Sequence, residues 1–339
     1  MRNLNTVNSL SNKPAQSVPK RVQLGRSDLE VSPVGTGTWQ WGGAFYWGYG
    51  RSYTDEDLAA AYAASIENGI NWFDTAEIYA RGKSEIILGR HVNGPRSGGT
   101  DSPSSPNPLV ATKFFPYPWR LHRSSFRRAL KASLKRLNAE LIDIYQIHFP
   151  FRPRSFEYWV DALGDAAQDG LVKAVGVSNF SAEQTKRAHE LFDRKGVVLA
   201  ANQVGYSLLN RKIESNGVLE TCRDLDVSVI SYGPLAEGLL TGKYRPDNPP
   251  PFMRKWRWAR KRLKMLPPLI SLMSDIANVH DASPSQVALN WLMRHGTLPI
   301  PGAKSAMQAK DNASSMTWSL STDELEALNV ATEQYLPAR

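Results

Sequence analysis

The chain has 339 residues, 42% hydrophobic and 22% charged, a globular composition with enough length for one large core. No run approaches the roughly 18 apolar residues of a membrane-spanning helix, so no membrane partner is expected. The single cysteine, Cys222, excludes an intramolecular disulfide framework and reads as a buried small hydrophobe. A net charge of +9 admits an anionic partner: nucleic acid, a membrane surface, or an anionic substrate or cofactor.

Residues 1–20 are rich in Asn, Ser, Lys and Pro, with no acidic residue before Asp28. This composition predicts a disordered leader, either a transit-peptide remnant or a plain flexible tail. Arg21–Leu24 and Leu29–Ser32 flank a Gly-Arg-Ser-Asp turn and predict a β-hairpin placed to close the bottom of a barrel.

From there strand and helix patterns alternate. Strands are predicted at 34–38, 71–74, 109–113, 141–148, 172–177, 198–204, 227–232 and 298–300. Helices are predicted from Thr54 to the stop at Gly69, then at 84–91, 123–138, 156–170, from Ser181, at 217–225, 269–280 and 284–295, and from Thr322. Eight strands alternating with helices predict an α/β fold, a closed (β/α)8 TIM barrel, as a single domain over 21–339. The Gly-, Ser- and Pro-rich segment 93–108 falls between a helix and a strand, and so reads as a tolerated insertion on the face away from chemistry. The basic stretch Arg254–Lys264 interleaves two tryptophans, but no RNA- or DNA-binding signature accompanies it, so no nucleic-acid partner is expected.

Several short motifs fail. Gly35-Thr36-Gly37 lacks the third glycine of a dinucleotide fingerprint, and Gly238…Gly242-Lys243-Tyr244 has Tyr where a P-loop needs Ser or Thr. None of the six histidines sits in a His-x-His or His-Glu-x-x-His pair, so no metal is expected.

What stands out is where the strands end. Trp72-Phe73-Asp74 leads to Tyr79, Val110-Ala111-Thr112 to Lys113, and Ile144-Tyr145-Gln146-Ile147 to His148. Polar groups gathered at the C-terminal ends of successive buried strands are what a (β/α)8 barrel presents as an active site. An ammonium beside a phenol lowers the phenol's pKa, a carboxylate can hold that ammonium, and a neutral imidazole can orient a carbonyl oxygen. The set suits proton donation to a carbonyl. It contains no nucleophilic Ser or Cys and no metal-ligand pair, so the reductant must come from a cofactor, for which a nicotinamide is the natural candidate.

On these residues the chain resembles the aldo-keto reductases. Asp74-Thr75-Ala76-Glu77-Ile78-Tyr79 is similar to that family's Asp-Thr-Ala-x-x-Tyr, and Ala111-Thr112-Lys113 to its lysine strand. Ile142–His148, preceded by Leu134-Lys135-Arg136-Leu137, resembles its histidine strand, and Gly170–Phe180 its Gly-Val-Ser-Asn-Phe run. The resemblance implies that Tyr79 is the general acid, supported by Asp74, Lys113 and His148. It implies a nicotinamide seat of Thr38, Trp39, Asp74, Ser178, Asn179 and Gln203, with Tyr232 stacked on the ring. Gly233, Pro234, Leu235 and Gly238 would follow the pyrophosphate, and Gly302, Lys304, Gln308, Asp311 and Asn312 the adenosine end. The cation Lys304 favours NADP(H). Gly233 replaces a serine common in relatives, and Asp311 a glutamate.

Trp39, Trp41, Phe45, Trp47, Trp119 and Phe149 are expected to line the substrate pocket, which suits a flat or aromatic carbonyl compound. Gly37–Gly42 and Phe115–Arg120 resemble the plastid-type members of the family in plants. That implies pyridoxal or another small aldehyde as the small-molecule substrate and a chloroplast address, with the cytoplasm as the alternative. A monomer or weak homo-oligomer is expected. The competing class is a cofactor-binding regulatory subunit on the same fold, like the potassium-channel β-subunits.

Overall fold

A computed structural model describes residues 20–93, 108–245, 247–250 and 260–333. The leader, most of the 93–108 insertion and the 254–259 part of the basic stretch lie outside the described residues.

Eight parallel strands follow in chain order around one sheet: β3 (Thr36–Gly37), β4 (Trp72–Asp74), β5 (Leu109–Phe114), β6 (Ile142–Ile147), β7 (Val172–Ser178), β8 (Leu199–Gly205), β9 (Ser228–Tyr232) and β10 (Leu298–Pro299). The sheet closes on itself. Gly37 pairs in parallel with Gly302, and the amides of Gly35 and Gly37 donate to the carbonyls of Pro299 and Pro301. This is the expected (β/α)8 barrel. The hairpin is present as β1 (Val22–Gln23) and β2 (Glu30–Val31), paired antiparallel.

Alternation along each strand builds the interior. Trp72, Ala111, Ile144, Ala174, Ala201, Ile230 and Leu298 form one apolar cluster with Leu24 and Val31 of the hairpin, which therefore stops the N-terminal end of the barrel. Trp72 is fully buried, worth about 2–3 kcal/mol by area alone. Its indole donates to the Ser32 carbonyl at 3.0 Å. Gly35 makes room for it, since a Cβ there would stand 2.4 Å from the indole ring. Two residues further along the same inward face come Asp74, Lys113, Gln146 and Gln203, and His148 lies two beyond Gln146. Period-2 alternation thus carries each strand from an apolar middle to a polar end.

The outer helices follow their signals. Asp55–Glu67 starts at a capping box on Thr54 and Asp57, and Ala182–Asp193 at one on Ser181 and Gln184. Two departures have physical causes. The helix predicted from residue 269 begins at Arg260 and runs through Pro267 and Pro268. Leu263, Leu266, Leu269, Met273 and Ile276 form a continuous buried stripe, and its packing outweighs the two missing amide donors. The Ala306–Ser314 helix is unpredicted. Its buried face is Ala309 and Ala313, and Ala309 packs with Ala61, Ala64 and Ala303, residues too small to write an amphipathic pattern.

Candidate active site

At the C-terminal mouth of the barrel, Lys113 Nζ donates to Asp74 Oδ1 at 2.5 Å and to the Thr75 carbonyl at 2.7 Å. The two side chains are 0% and 2% exposed. Burying such a pair is costly unless every remaining lone pair is used. Here Gln203 Nε2 donates to Asp74 Oδ2 at 2.8 Å, and Gln146 Nε2 approaches the same oxygen at 3.4 Å. Gln146 escaped the sequence reading, although alternation gave the signal: Ile144, Gln146 and His148 share one face of β6.

Tyr79 follows β4 on a tight turn whose next two residues, Ala80 and Arg81, are left-handed (φ 47° and 56°). Its ring centroid lies 5.0 Å from Lys113 Nζ and 5.9 Å, edge to face, from the ring of His148. Among the described residues its hydroxyl has no hydrogen-bond partner. The expectation that Lys113 lowers the phenol's pKa is reversed. Burial, followed by the charge of Asp74, pushes Tyr79 well above its ordinary value. The ammonium is engaged with the carboxylate, so little of its field is left for the phenol. Lys113 is itself lowered by burial, against the pull of Asp74. Burial, then the charge of Lys113, holds His148 well below the ordinary imidazole range, hence neutral at physiological pH. Among the described residues its Nδ1 is buried with no hydrogen-bond partner.

Beside this cluster, Ser178 Oγ donates to the Gln203 carbonyl at 2.9 Å. Asn179, left-handed at φ 62°, donates to the His148 carbonyl at 3.1 Å and accepts from Tyr232 OH at 2.9 Å. Tyr232 is 40% exposed and stands over an open cleft of about 660 Å³. Thr38, Trp39, Asp74 and Tyr79 line the cleft beside this cluster, with Gly302 next to them through its pairing with Gly37; the Gly233–Gly238 segment lines it as well, and Lys304, Gln308, Asp311 and Asn312 line it where the Ala306–Ser314 helix begins. Ala236, Glu237 and Gly238 are all left-handed (φ 47°, 56° and 97°) and curve the backbone along the cleft. Glu237 accepts from Tyr46 OH at 2.7 Å.

The Ala306–Ser314 helix begins at Ser305, whose hydroxyl accepts from the Gln308 amide. A helix N-terminus beside Lys304 favours an anion. Asp311 accepts from Ser283 at 2.9 Å and from Gln286 at 2.8 Å, so much of its hydrogen-bonding capacity faces the protein.

The substrate-pocket expectations divide. Trp47 lines the cleft, as does Trp39. Trp41 does not: it is 0% exposed, and its indole donates to the Ala303 carbonyl at 2.9 Å, so it belongs to the wall behind. Gly42 is left-handed (φ 83°) and turns the chain there. Trp119 is 73% exposed and stacks on Tyr117 at 4.6 Å, bordering a neighbouring groove, and Phe45 is 83% exposed. Phe149 stacks on His148 at 4.9 Å, and Phe151 on Phe149 at 4.6 Å. Gln40 is a cleft residue that sequence reasoning missed. Its amide packs where a Cβ on Gly302 would stand, within 1.9 Å, so only glycine closes the barrel at that point.

The sequence profile of the Aldo/keto reductase family matches residues 33–333. The chain belongs to this family. A chloroplastic pyridoxal reductase of Arabidopsis thaliana is 38% identical over 322 residues, 93% of this chain and 86% of the relative. A glycerol dehydrogenase from Gluconobacter oxydans superposes with a TM-score of 0.78 at 27% identity, covering 94% of this chain and 97% of its own. An aldo/keto reductase from Klebsiella pneumoniae, solved with NADP and acetate, gives a TM-score of 0.70 at 27% identity over 95% and 98%. This aldo-keto reductase is accordingly an oxidoreductase on a (β/α)8 barrel.

Proposed function

We propose that this aldo-keto reductase uses NADPH to reduce a flat aromatic aldehyde, such as pyridoxal, to the alcohol, with Tyr79 as proton donor. The observation that carries the reading is a phenol hydroxyl without a partner among the described residues, on the cleft wall, between a neutral imidazole and a buried ammonium. Bound NADPH supplies the hydride.

The chain's own residues do the rest. Tyr232, Ser178, Asn179 and Gln203 offer a stacking face and amide groups for the nicotinamide end. Lys304 and the N-terminus of the Ala306–Ser314 helix offer positive charge for a 2′-phosphate, which favours NADP(H) over NAD(H). The tautomer of His148 is assigned from its surroundings: with Nδ1 buried and unpartnered, the proton belongs on Nε2. That N–H orients the carbonyl oxygen toward the Tyr79 hydroxyl. As negative charge develops on the oxygen, the phenol proton moves to it, and the phenolate left behind faces Lys113. At 5.0 Å from the ring centroid an unpaired ammonium would contribute about 3 kcal/mol at an effective dielectric of about 20, and the Asp74 carboxylate offsets most of it. The aromatic surface of Phe115, Phe149 and Phe151 beside His148, with Trp39 opposite, suits a flat ring.

The test follows NADPH absorbance with pyridoxal, other aromatic aldehydes and straight-chain aldehydes. Aromatic aldehydes should be preferred. Tyr79→Phe should lower turnover by about a thousandfold while NADPH still binds. Near-wild-type turnover in that variant would remove Tyr79 from its role. Tight NADPH binding without turnover of any aldehyde would favour a cofactor-binding regulatory subunit. Likeness to a chloroplastic relative supports a plastid location, which a fluorescent fusion of the full chain would check.

A further inference from the structure

A second, smaller depression of about 300 Å³ lies beside the turn that carries Tyr79. Most of it belongs to the Arg123–Leu137 helix, which carries Arg123, Arg127, Arg128, Lys131, Lys135 and Arg136 and no acidic residue. Positions 125, 128, 129, 132 and 136 share one face at three- and four-residue spacing. Ala129 and Ala132 make a floor too short to fill the space, and Trp119, Arg120, Arg128 and Arg136 border it.

Two of the three guanidinium groups are fixed in place before any ligand arrives. Arg120 donates to both oxygens of Glu77, at 2.5 Å and 2.9 Å, and lies over the rings of Phe114 and Tyr117 at 4.8 Å and 5.0 Å. Arg136 Nε donates to Glu85, which is 0% exposed, at 2.6 Å. Its methylene chain lies against Gly82, where a Cβ would come within 2.7 Å. Neither guanidinium is used up: among the described residues Arg120 Nε and Arg136 Nη1 make no hydrogen bond, and Arg128 makes none. An arginine offers five N–H donors in a fixed fork, and donors already held in position bind an anion with less loss of entropy.

The geometry points to a second ligand site in this groove, one that takes a phosphoryl group, with Arg120 and Arg136 as the fixed donors and Arg128 as the arm that closes on it. The phosphoryl group could be free phosphate or the ester of a small molecule, since the donors read only the oxyanion. The site is distinct from the cleft and does not rest on the reductase reading. Glu77 links the two, because its carboxylate also accepts from the Phe115 amide at 2.6 Å, two residues before Tyr79 in chain order.

The test is calorimetric titration of inorganic phosphate, and separately of glycerol phosphate, into the full chain saturated with NADP⁺ at low ionic strength. Saturation keeps the cofactor's own phosphate positions occupied. One saturable site is expected. Arg128→Ala should weaken it at least about tenfold, the effect of losing charge-assisted hydrogen bonds. Lys131→Ala, an equal loss of charge on the same helix, should leave it within about twofold. Binding of the ester as well as the free ion identifies a small phosphorylated molecule as the ligand, and binding of the free ion alone identifies phosphate. The proposal is overturned if neither probe binds, if both variants lose binding equally, or if heat appears only when NADP⁺ is left out.

Discussion

The two ends of the cleft are built on different plans. The end holding Asp74, Lys113, Gln203 and His148 is assembled from strand termini, is almost wholly buried, and cross-links charged groups through one another. The end holding Lys304, Gln308 and Asp311 is assembled from one helix N-terminus and is open to water. The first arrangement must hold charges within tenths of an ångström and accepts a desolvation cost to do so. On the proposed reading the second needs only to attract and retain an anion, for which a partly exposed point charge is adequate.

Asp74→Ala would break the buried end most severely. It leaves the Lys113 ammonium buried with only the Thr75 carbonyl, and denaturant unfolding should show a loss of about 3–5 kcal/mol together with loss of turnover. An unchanged midpoint would mean that water already reaches the pair. A smaller effect comes from acid. The pKa of His148 is depressed in the folded chain, so its contribution to stability is complete above the unfolded value near 6.5 and is lost as pH falls below it. The unfolded chain takes up that proton first. Between the two values the penalty grows by at most about 1.4 kcal/mol per pH unit, so His148→Asn should be less acid-sensitive than wild type in melting curves compared across mildly acidic pH. Identical slopes would mean that His148 titrates normally. Lys304→Ala sharpens the contrast from the other side. NADPH affinity should fall about tenfold, NADH affinity should hold, and the unfolding midpoint should barely move. Equal losses for both cofactors would mean that Lys304 does not read the 2′-phosphate.

The same division governs what the sequence disclosed. The buried end was legible because its signal is local: an apolar run and a polar residue at its end, repeated strand after strand. Even Gln146 was written in the alternation of β6. The open end was harder to read as structure. Its helix is held by Ala309 against other alanines and by Ala313 against Val34 and Ile70, and alanine contributes almost nothing to a hydrophobic periodicity. The loops were least legible. Trp39 and Trp41 are two residues apart with the same composition around them, yet one is 42% exposed on the cleft and the other is sealed behind it. Where a loop side chain points depends on what the rest of the barrel leaves vacant, and no pattern within the loop encodes that.

The hairpin at the other end of the barrel gives the molecule the plumbing of a bottle rather than of a pipe. With Leu24 and Val31 seated under Trp72, Ile144 and Ile230, nothing passes through the axis, and both ligands must use a single opening. Whichever sits deeper has to enter first and leave last. The queue at that neck, and not the chemistry inside, is then what product-inhibition patterns would report.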